Sequence, residues 1–386
     1  MSEQDLSRPD PDASPSPGQW RGVRAAIDAH RPELAAVAAR LYPSSSRVAA
    51  TDLLCRDDWI PETPLDIDDL TLDWLAEPHA PAVDGTGPLA AAVLPPKVSG
   101  GRYCAYSAAI ADLDRPALFE NRACYRLLDV LPARLLLGPA RYFEAVNTGG
   151  AIGHELAAAW LASTGQVTTA DLPLRASVGD PCALRRRCAI PAVTTLTLRR
   201  GRRSEPTFFM HWRDPAKVNH AGGVYQVIPA GIFQPLGDSA SAARHDLSLW
   251  RAMTREFGEE LLGLPDSYPA PHGLLDYANW PLYQRLTEAR ETRALRVSWV
   301  GLGVDPLTLA TDILTVAVFD DEVFDSGFAA MVAVNDEGTV LSENGSARLP
   351  FTAEAVDRFS GGHEPVQPAG AALLRLAWRH RRHLLG

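Results

Sequence analysis

Apolar positions recur at spacings of three and four over residues 20–41 (Val23, Ala26, Ile27, Leu34, Val37, Leu41). This predicts helix, broken near Pro32 and stopped at Pro43. One such segment is not a helix-turn-helix. Residues 51–187 mix short apolar runs with prolines and hold one clear helical stretch, over 151–163, so an α+β region is expected there. From residue 190 the texture changes. VTTLTLR (193–199) alternates with period two, a charged turn follows at Gly201, and TFFMHWR (207–213) completes the pattern of a β-hairpin. Gly222 and Gly223 lead into VYQVIPAGIF. Residues 246–262 then read as a helix, with Asp246 near its start, Gly263 just past its end, and an apolar stripe of Leu249, Trp250, Met253 and Phe257. A further helix is expected around 283–293, then two strands, ALRVSWVGLGV and DILTVAVFD, and a helical C-terminus, AALLRLAWRHRRHLL.

The change of texture puts a domain boundary near Cys188. Residues 20–188 form an N-terminal α+β region and 189–386 a second domain, which suits 386 residues of which 46% are hydrophobic. Residues 1–19, proline-rich (Pro9, Pro11, Pro15, Pro17) and almost without apolar side chains, are expected to be a disordered tail. The net charge of -10 repels phosphate backbones and anionic lipid, so direct DNA binding is not expected. The five cysteines (Cys55, Cys104, Cys124, Cys182, Cys188) are too scattered for a disulfide framework and read as core thiols in a reducing compartment. The N-terminus lacks the cationic and apolar regions of a leader, and no run approaches about 18 apolar residues. A soluble, cytoplasmic protein without membrane partners is the expectation.

Most chemical motifs fail on spacing. His154-Glu155 starts like a zinc-protease helix, but Ala158 stands where the second histidine is needed, and the pair reads as buried or capping. Gly301-Leu302-Gly303 lies within a strand pattern, whereas a dinucleotide fingerprint needs a strand-to-helix turn. Asn344-Gly345-Ser346 is a sequon without meaning in a cytoplasmic chain. Arg185, Arg186, Arg187, Arg199, Arg200, Arg202 and Arg203 stand out against the acidic background. They either meet the phosphates of a small ligand or form a solvated linker and hairpin tip. The basic C-terminal stretch, Arg379 to His383, offsets a helix dipole.

The segment that carries chemistry is Arg255-Glu256-Phe257-Gly258-Glu259-Glu260. On a regular helix its three acids, at i, i+3 and i+4, share one face and repel by about 0.2–0.5 kcal/mol per pair. They are either a solvated face or, with Mg²⁺, a site that accepts one or two carboxylates beside substrate phosphate. Arg255 is placed to pair with one carboxylate and aim it at the metal.

This segment resembles the centre of the Nudix box, G-x5-E-x7-R-E-U-x-E-E-x-G-U with U a bulky aliphatic residue, Phe257 taking an aliphatic position. Preceding it in the family's order are a hairpin, then Tyr225, Pro229 and Gly231, the last resembling the glycine that opens the box. The early glutamate of the box is Gln234 or Leu247, depending on which end is aligned. The stretch from Gly231 to Arg255 is about ten residues longer than the motif, and Gly263 arrives one place late. Segments such as LLCRDDWIPETPL, PALFENRACYRLLD and DPLTLATDILTVAVFDDEVFD look like a group of actinobacterial Nudix-like proteins, several of them described as transcriptional regulators.

The resemblance implies an α+β fold, with a Nudix-like mixed sheet and flanking helices in the C-terminal half. It implies Mg²⁺ (or Mn²⁺) held by Glu256, Glu259, Glu260 and the Gly231 carbonyl. Arg255 would belong to the catalytic set, and Tyr225, Gly231, Arg199 and Arg213 would contact substrate. The activity implied is hydrolysis of a diphosphate-linked nucleoside or related small molecule; a catalytically weak nucleotide-binding sensor or regulatory scaffold is the alternative. The N-terminal region is expected to cover part of the cleft, with Arg102, Tyr103 and Tyr106 as facing residues, and a homodimer is a further expectation.

Overall fold

The computed structural model describes residues 15–116, 118–163, 166–201, 204–214, 222–265, 274–334, 338–341 and 347–386. Arg202, Arg203, the sequon at Asn344 and residues 1–14 of the expected tail lie outside them. The rest of that tail is structured. Helix α1 (Pro17–Ala29) begins at a proline pre-set for the first turn, and the Ser16 hydroxyl and Gln19 side chain close a capping box. The single broken helix expected here is two, since α2 (Arg31–Arg40) restarts at Arg31-Pro32.

The N-terminal half continues with β1 (Leu65–Asp66), β2 (Thr71–Trp74), α3 (Pro88–Ala92), α4 (Tyr106–Leu113), β3 (Ala123–Leu131), β4 (Arg134–Arg141), α5 (Tyr142–Ala145), α6 (Ala151–Ala162) and α7 (Pro173–Val178). A π-helical turn, Val146–Gly150, joins α5 to α6. The C-terminal half holds β5 (Pro191–Arg200), β6 (Thr207–Phe208), β7 (Met210–Arg213), β8 (Val224–Val227), β9 (Ala230–Ile232), α8 (Ala240–His245), α9 (Leu249–Glu256), α10 (Pro281–Glu291), β10 (Leu295–Val304), β11 (Thr311–Asp320), α11 (Asp321–Gly327), β12 (Gly338–Val340), β13 (Leu349–Pro350), α12 (Ala353–Ser360), α13 (Pro368–Arg379) and α14 (Arg381–Leu385).

The fold is α+β. Its largest sheet is mixed, in the order β1-β10-β11-β5-β6-β13 with β9 also on β5; β5 and β11 are parallel and β10 and β11 antiparallel. The β-branched and aliphatic runs of β5, β10 and β11 are buried along almost their whole length, as strands covered on both faces require. Helices α9, α10 and α13 pack on this sheet. The expected hairpin is short: β5 and β6 pair only at Leu198↔Phe208 and Arg199↔Thr207. After Phe209 the chain leaves for a second sheet, β12-β7-β8. Gly301 and Gly303 serve packing in β10, because a Cβ at either would strike Ile60 or Leu53.

One buried apolar cluster contains Trp20, Trp59 and Tyr125 from the N-terminal half and Phe208, Phe257 and Leu376 from the C-terminal half. The backbone ties the halves as well, through Leu127 N–H to the Ala189 carbonyl and through β1, which pairs with β10. Four cysteines are buried as expected, but Cys104 is exposed.

Candidate functional site

The helix expected over 246–262 begins later and changes pitch. Ser248 caps α9 by accepting from Arg251 N–H, and Asp246 lies before it, fully buried. Leu249, Trp250, Met253 and Phe257 are all buried, as their spacing predicts. At Phe257–Leu261 the backbone widens into a π-turn, which ends at Gly263 in the left-handed region (φ 64°). Val332 N–H bonds the Leu261 carbonyl and holds this end in place.

The wider turn decides which acids meet. With i→i+5 bonding, positions four apart come nearly into line and positions three apart fall to the side. Glu256 and Glu260 accordingly meet β9. A Cβ at Gly231 would lie 2.0 Å from Glu256 Cδ and 2.1 Å from both carboxylate oxygens, so the glycine leaves the space that this carboxylate fills. Glu260, 4% exposed, accepts the Ala230 N–H through Oε1, and its Oε2 stands 3.7 Å from Nδ1 of the buried His211 on β7. Glu259 is half-buried on the π-turn. Among the described residues, no three His, Cys, Asp or Glu side chains gather as a ready metal cage.

Arg255 makes its hydrogen bonds elsewhere and, of these carboxylates, feels the nearby charge of Glu256. It is 3% exposed and donates to the Tyr277 hydroxyl and to the Gln234 carbonyl (2.7 Å), 3.4 Å from Asp246 Oδ1. Tyr277 in turn donates to Asp246 (2.8 Å), whose other oxygen accepts Leu236 N–H (2.9 Å). Burial alone would lower the Arg255 pKa, but Tyr277 and Asp246 hold it above the ordinary value. Asp246, next to Leu247, is thus the acid that meets Arg255 where the aligned box offers only Gln234 or Leu247. The signal in the sequence was an aspartate one place from the expected glutamate.

The register brings a second polar group to the same end of β5. Gly231 lies opposite Val193 and Ala230 opposite Thr194. The Thr194 hydroxyl donates to Asp312 Oδ1 (2.6 Å) at the start of β11. Burial pushes the Asp312 carboxyl up to about 7, against the Thr194 hydrogen bond; Asp305 adds to the rise and Arg213 opposes it. Arg213 is two residues beyond His211 on β7, so both side chains leave the same strand face.

Other expected residues are placed elsewhere. Arg199, six residues along β5 from Val193 and so about 20 Å away, pairs with Asp325 (2.6 Å). Tyr225 packs against Trp212 and Phe359. Arg187 is buried, Arg185 pairs with Asp129, and Arg200 pairs with Asp320, so the arginine cluster is dispersed into structural contacts. Tyr103 donates to Asp112, and Tyr106 is sealed against Trp20 and bonded to His154 (3.1 Å). Burial, with Arg24 nearby, lowers His154 to about 3, keeping it neutral. Glu155 caps α7 by accepting Leu174 N–H (2.7 Å) and Arg175 N–H (2.9 Å). Two cavities, of 560 and 440 Å³, are lined by other residues.

No family model and no curated protein matches the chain. Among solved structures, the chain is similar to a Nudix hydrolase from M. smegmatis, RenU (14% identity over 50% of this chain and 84% of that one, TM-score 0.23). It is also similar to a mutT/nudix family protein from Listeria innocua (16%, 51% and 98%, 0.24). A third similar structure is a NUDIX hydrolase from Alicyclobacillus acidocaldarius (13%, 48% and 90%, 0.24). Among the described residues, no helix is long and apolar enough to cross a membrane.

Proposed function

We propose that the chain is a Nudix-type hydrolase of a diphosphate-linked nucleoside or related small molecule, dependent on Mg²⁺ or Mn²⁺. The observation that carries this reading is the seating of the Glu256 carboxylate in the space left by Gly231, with Glu260 on the adjacent Ala230 N–H. The donor chemistry fits Mg²⁺, which takes one or two carboxylates and completes its shell with water and phosphate oxygens. Glu256 and Glu260 would hold the ion. When bound, it would neutralise phosphoryl charge and lower the pKa of a bound water.

The remaining work belongs to the chain. Gly231 keeps Glu256 within reach of β9. Arg255, Asp246 and Tyr277 brace the helix that carries both acids. His211, beside Glu260, would hold or release a proton, and Arg213 would meet a phosphoryl oxygen. Residues 20–188 would supply substrate recognition beyond the diphosphate, and the likeness of the segments quoted above to actinobacterial Nudix-like proteins supports this reading.

The test is phosphorus NMR of a nucleotide panel incubated with Mg²⁺ or Mn²⁺. Wild type should release phosphate products, Glu256→Gln and Glu260→Gln should lose turnover by orders of magnitude, and Glu259→Gln should lose less. Undiminished turnover in the first two variants refutes the assignment. Nucleotide binding without any product would mark a sensor instead.

A further inference from the structure

Arg31, the first residue of α2, is 3% exposed, yet its Nε and Nη1 are sealed from solvent with no hydrogen-bond partner. A buried guanidinium is ordinarily paired, because an uncompensated charge is among the costliest groups to bury. Its charged neighbours are Asp305, Asp28 and Arg213. Asp305, the strongest of these charges on Arg31, opposes the effect of burial, while its Oδ1 accepts Leu307 N–H (2.8 Å), Thr308 N–H (2.9 Å) and the Thr308 hydroxyl (3.3 Å), turning the loop between β10 and β11. Asp28 is exposed at the end of α1.

Arg213 belongs to the same neighbourhood by backbone geometry. Gly223 N–H bonds the Arg213 carbonyl (2.8 Å), and a Cβ on Gly223 would sit 3.4 Å from the Asp28 carbonyl. The end of β7 therefore abuts the α1–α2 junction. The strand face that carries Arg213 continues to His211 and Glu260, while Asp312 and Thr194 lie across the register from Ala230. The end of the sheet where Glu256 and Glu260 meet β9 thus lies along the strand face that carries Arg213, and Arg213 in turn neighbours Arg31 at the α1–α2 junction. Guanidinium forks match phosphate oxygens.

We propose that Arg31, together with Arg213, anchors a phosphoryl group of a diphosphate-bearing small molecule at this site, so that the N-terminal helix pair supplies a binding residue. The inference rests on the proposed function for the class of ligand. Arg31 Nε and Nη1, unused among the described residues, are the groups that this anion satisfies.

The probe is inorganic pyrophosphate, titrated into the full chain in metal-free buffer and followed by calorimetry and thermal melting. Wild type should bind and melt higher. Arg31→Met should bind at least about tenfold more weakly, the loss expected for a charged hydrogen bond. Without anion it should melt at or above the wild-type temperature, since no unpaired guanidinium is then buried. Arg31→Lys should recover part of the binding. A wild type indifferent to pyrophosphate overturns the proposal, as does Arg31→Met with undiminished affinity. Should Arg31→Met not fold, Arg31→Lys and the wild-type titration decide. Pyrophosphate binding that depends on Arg31, without turnover of any diphosphate, refutes the hydrolase alone. Turnover with an unchanged KM in the Arg31 variants refutes this anchor alone.

Discussion

Gly231→Ala separates the fold from the site. The added Cβ would lie 2.1 Å from each Glu256 oxygen. Two carbons at rest keep about 3.5 Å or more, and the Glu256 Cδ would lie 2.0 Å from the added Cβ, so the carboxylate must retreat by about 1.5 Å. Metal ligands are held to within about 0.2 Å, and a displacement of about 1 Å costs about a hundredfold in rate. Turnover and Mn²⁺ affinity should both fall by about that factor. Stability should not follow. The obstructing atoms are the flexible end of a half-buried side chain, and turning it off its rotamer costs about 0.5–1.5 kcal/mol. Replacing glycine in a strand returns about 0.5–1 kcal/mol. Urea unfolding should therefore give a stability within about 1 kcal/mol of wild type, beside the collapse in phosphorus NMR turnover. Glu256→Asp in the alanine background shortens the acid and should relieve the clash without restoring activity. Undiminished turnover and Mn²⁺ affinity in Gly231→Ala would refute the seating of Glu256 as the site's organising contact. A loss of several kcal/mol would show that the carboxylate is fixed by more than β9.

Two further perturbations test the surroundings. Arg255→Met strands the buried Asp246 and should cost about 3–5 kcal/mol in urea unfolding; combined with Asp246→Asn, the loss should fall well short of the sum, and additive losses would refute the pairing. Asp312→Asn tests the carboxyl that burial pushes from 3.8 up to about 7. The folded state binds this proton more tightly than the unfolded chain, so wild type loses stability as pH rises from 4 through 7, by about 4 kcal/mol at about 1.4 kcal/mol per pH unit. The variant lacks this slope: its stability should match wild type near pH 4 and exceed it at pH 8, and parallel curves across that range would refute it.

Periodicity made the supports of the site legible and left its geometry hidden. The stripe of Leu249, Trp250, Met253 and Phe257, the strands at 294–304 and 312–320, and the closing Gly263 follow from local pattern, and all are found. The π-turn does not follow, because what packs against it, Leu282 and Trp280 close to Gly258 and the Val332 N–H on the Leu261 carbonyl, lies far along the chain. Asp246 was visible as a residue but not as the partner of Arg255, since a loop of unexpected length carries it inward. Arg199 reads as a ligand-facing charge because a strand end shows no sign of the aspartate that meets it, here Asp325 on α11. The roles of Arg31 and Gly231 depend on long-range approach, which spacing cannot show.

The pairing of β1 with β10 sets a timetable for synthesis. Leu65 must find Trp299, more than two hundred positions later. At about 5–20 residues per second, β1 would wait tens of seconds for the strand it pairs with. Contacts this distant also slow refolding of the finished chain, because the loop between them must close before burial repays it. A nascent chain of this kind has long exposure to chaperones and to its own copies, and its yield should depend on how fast the second half is translated.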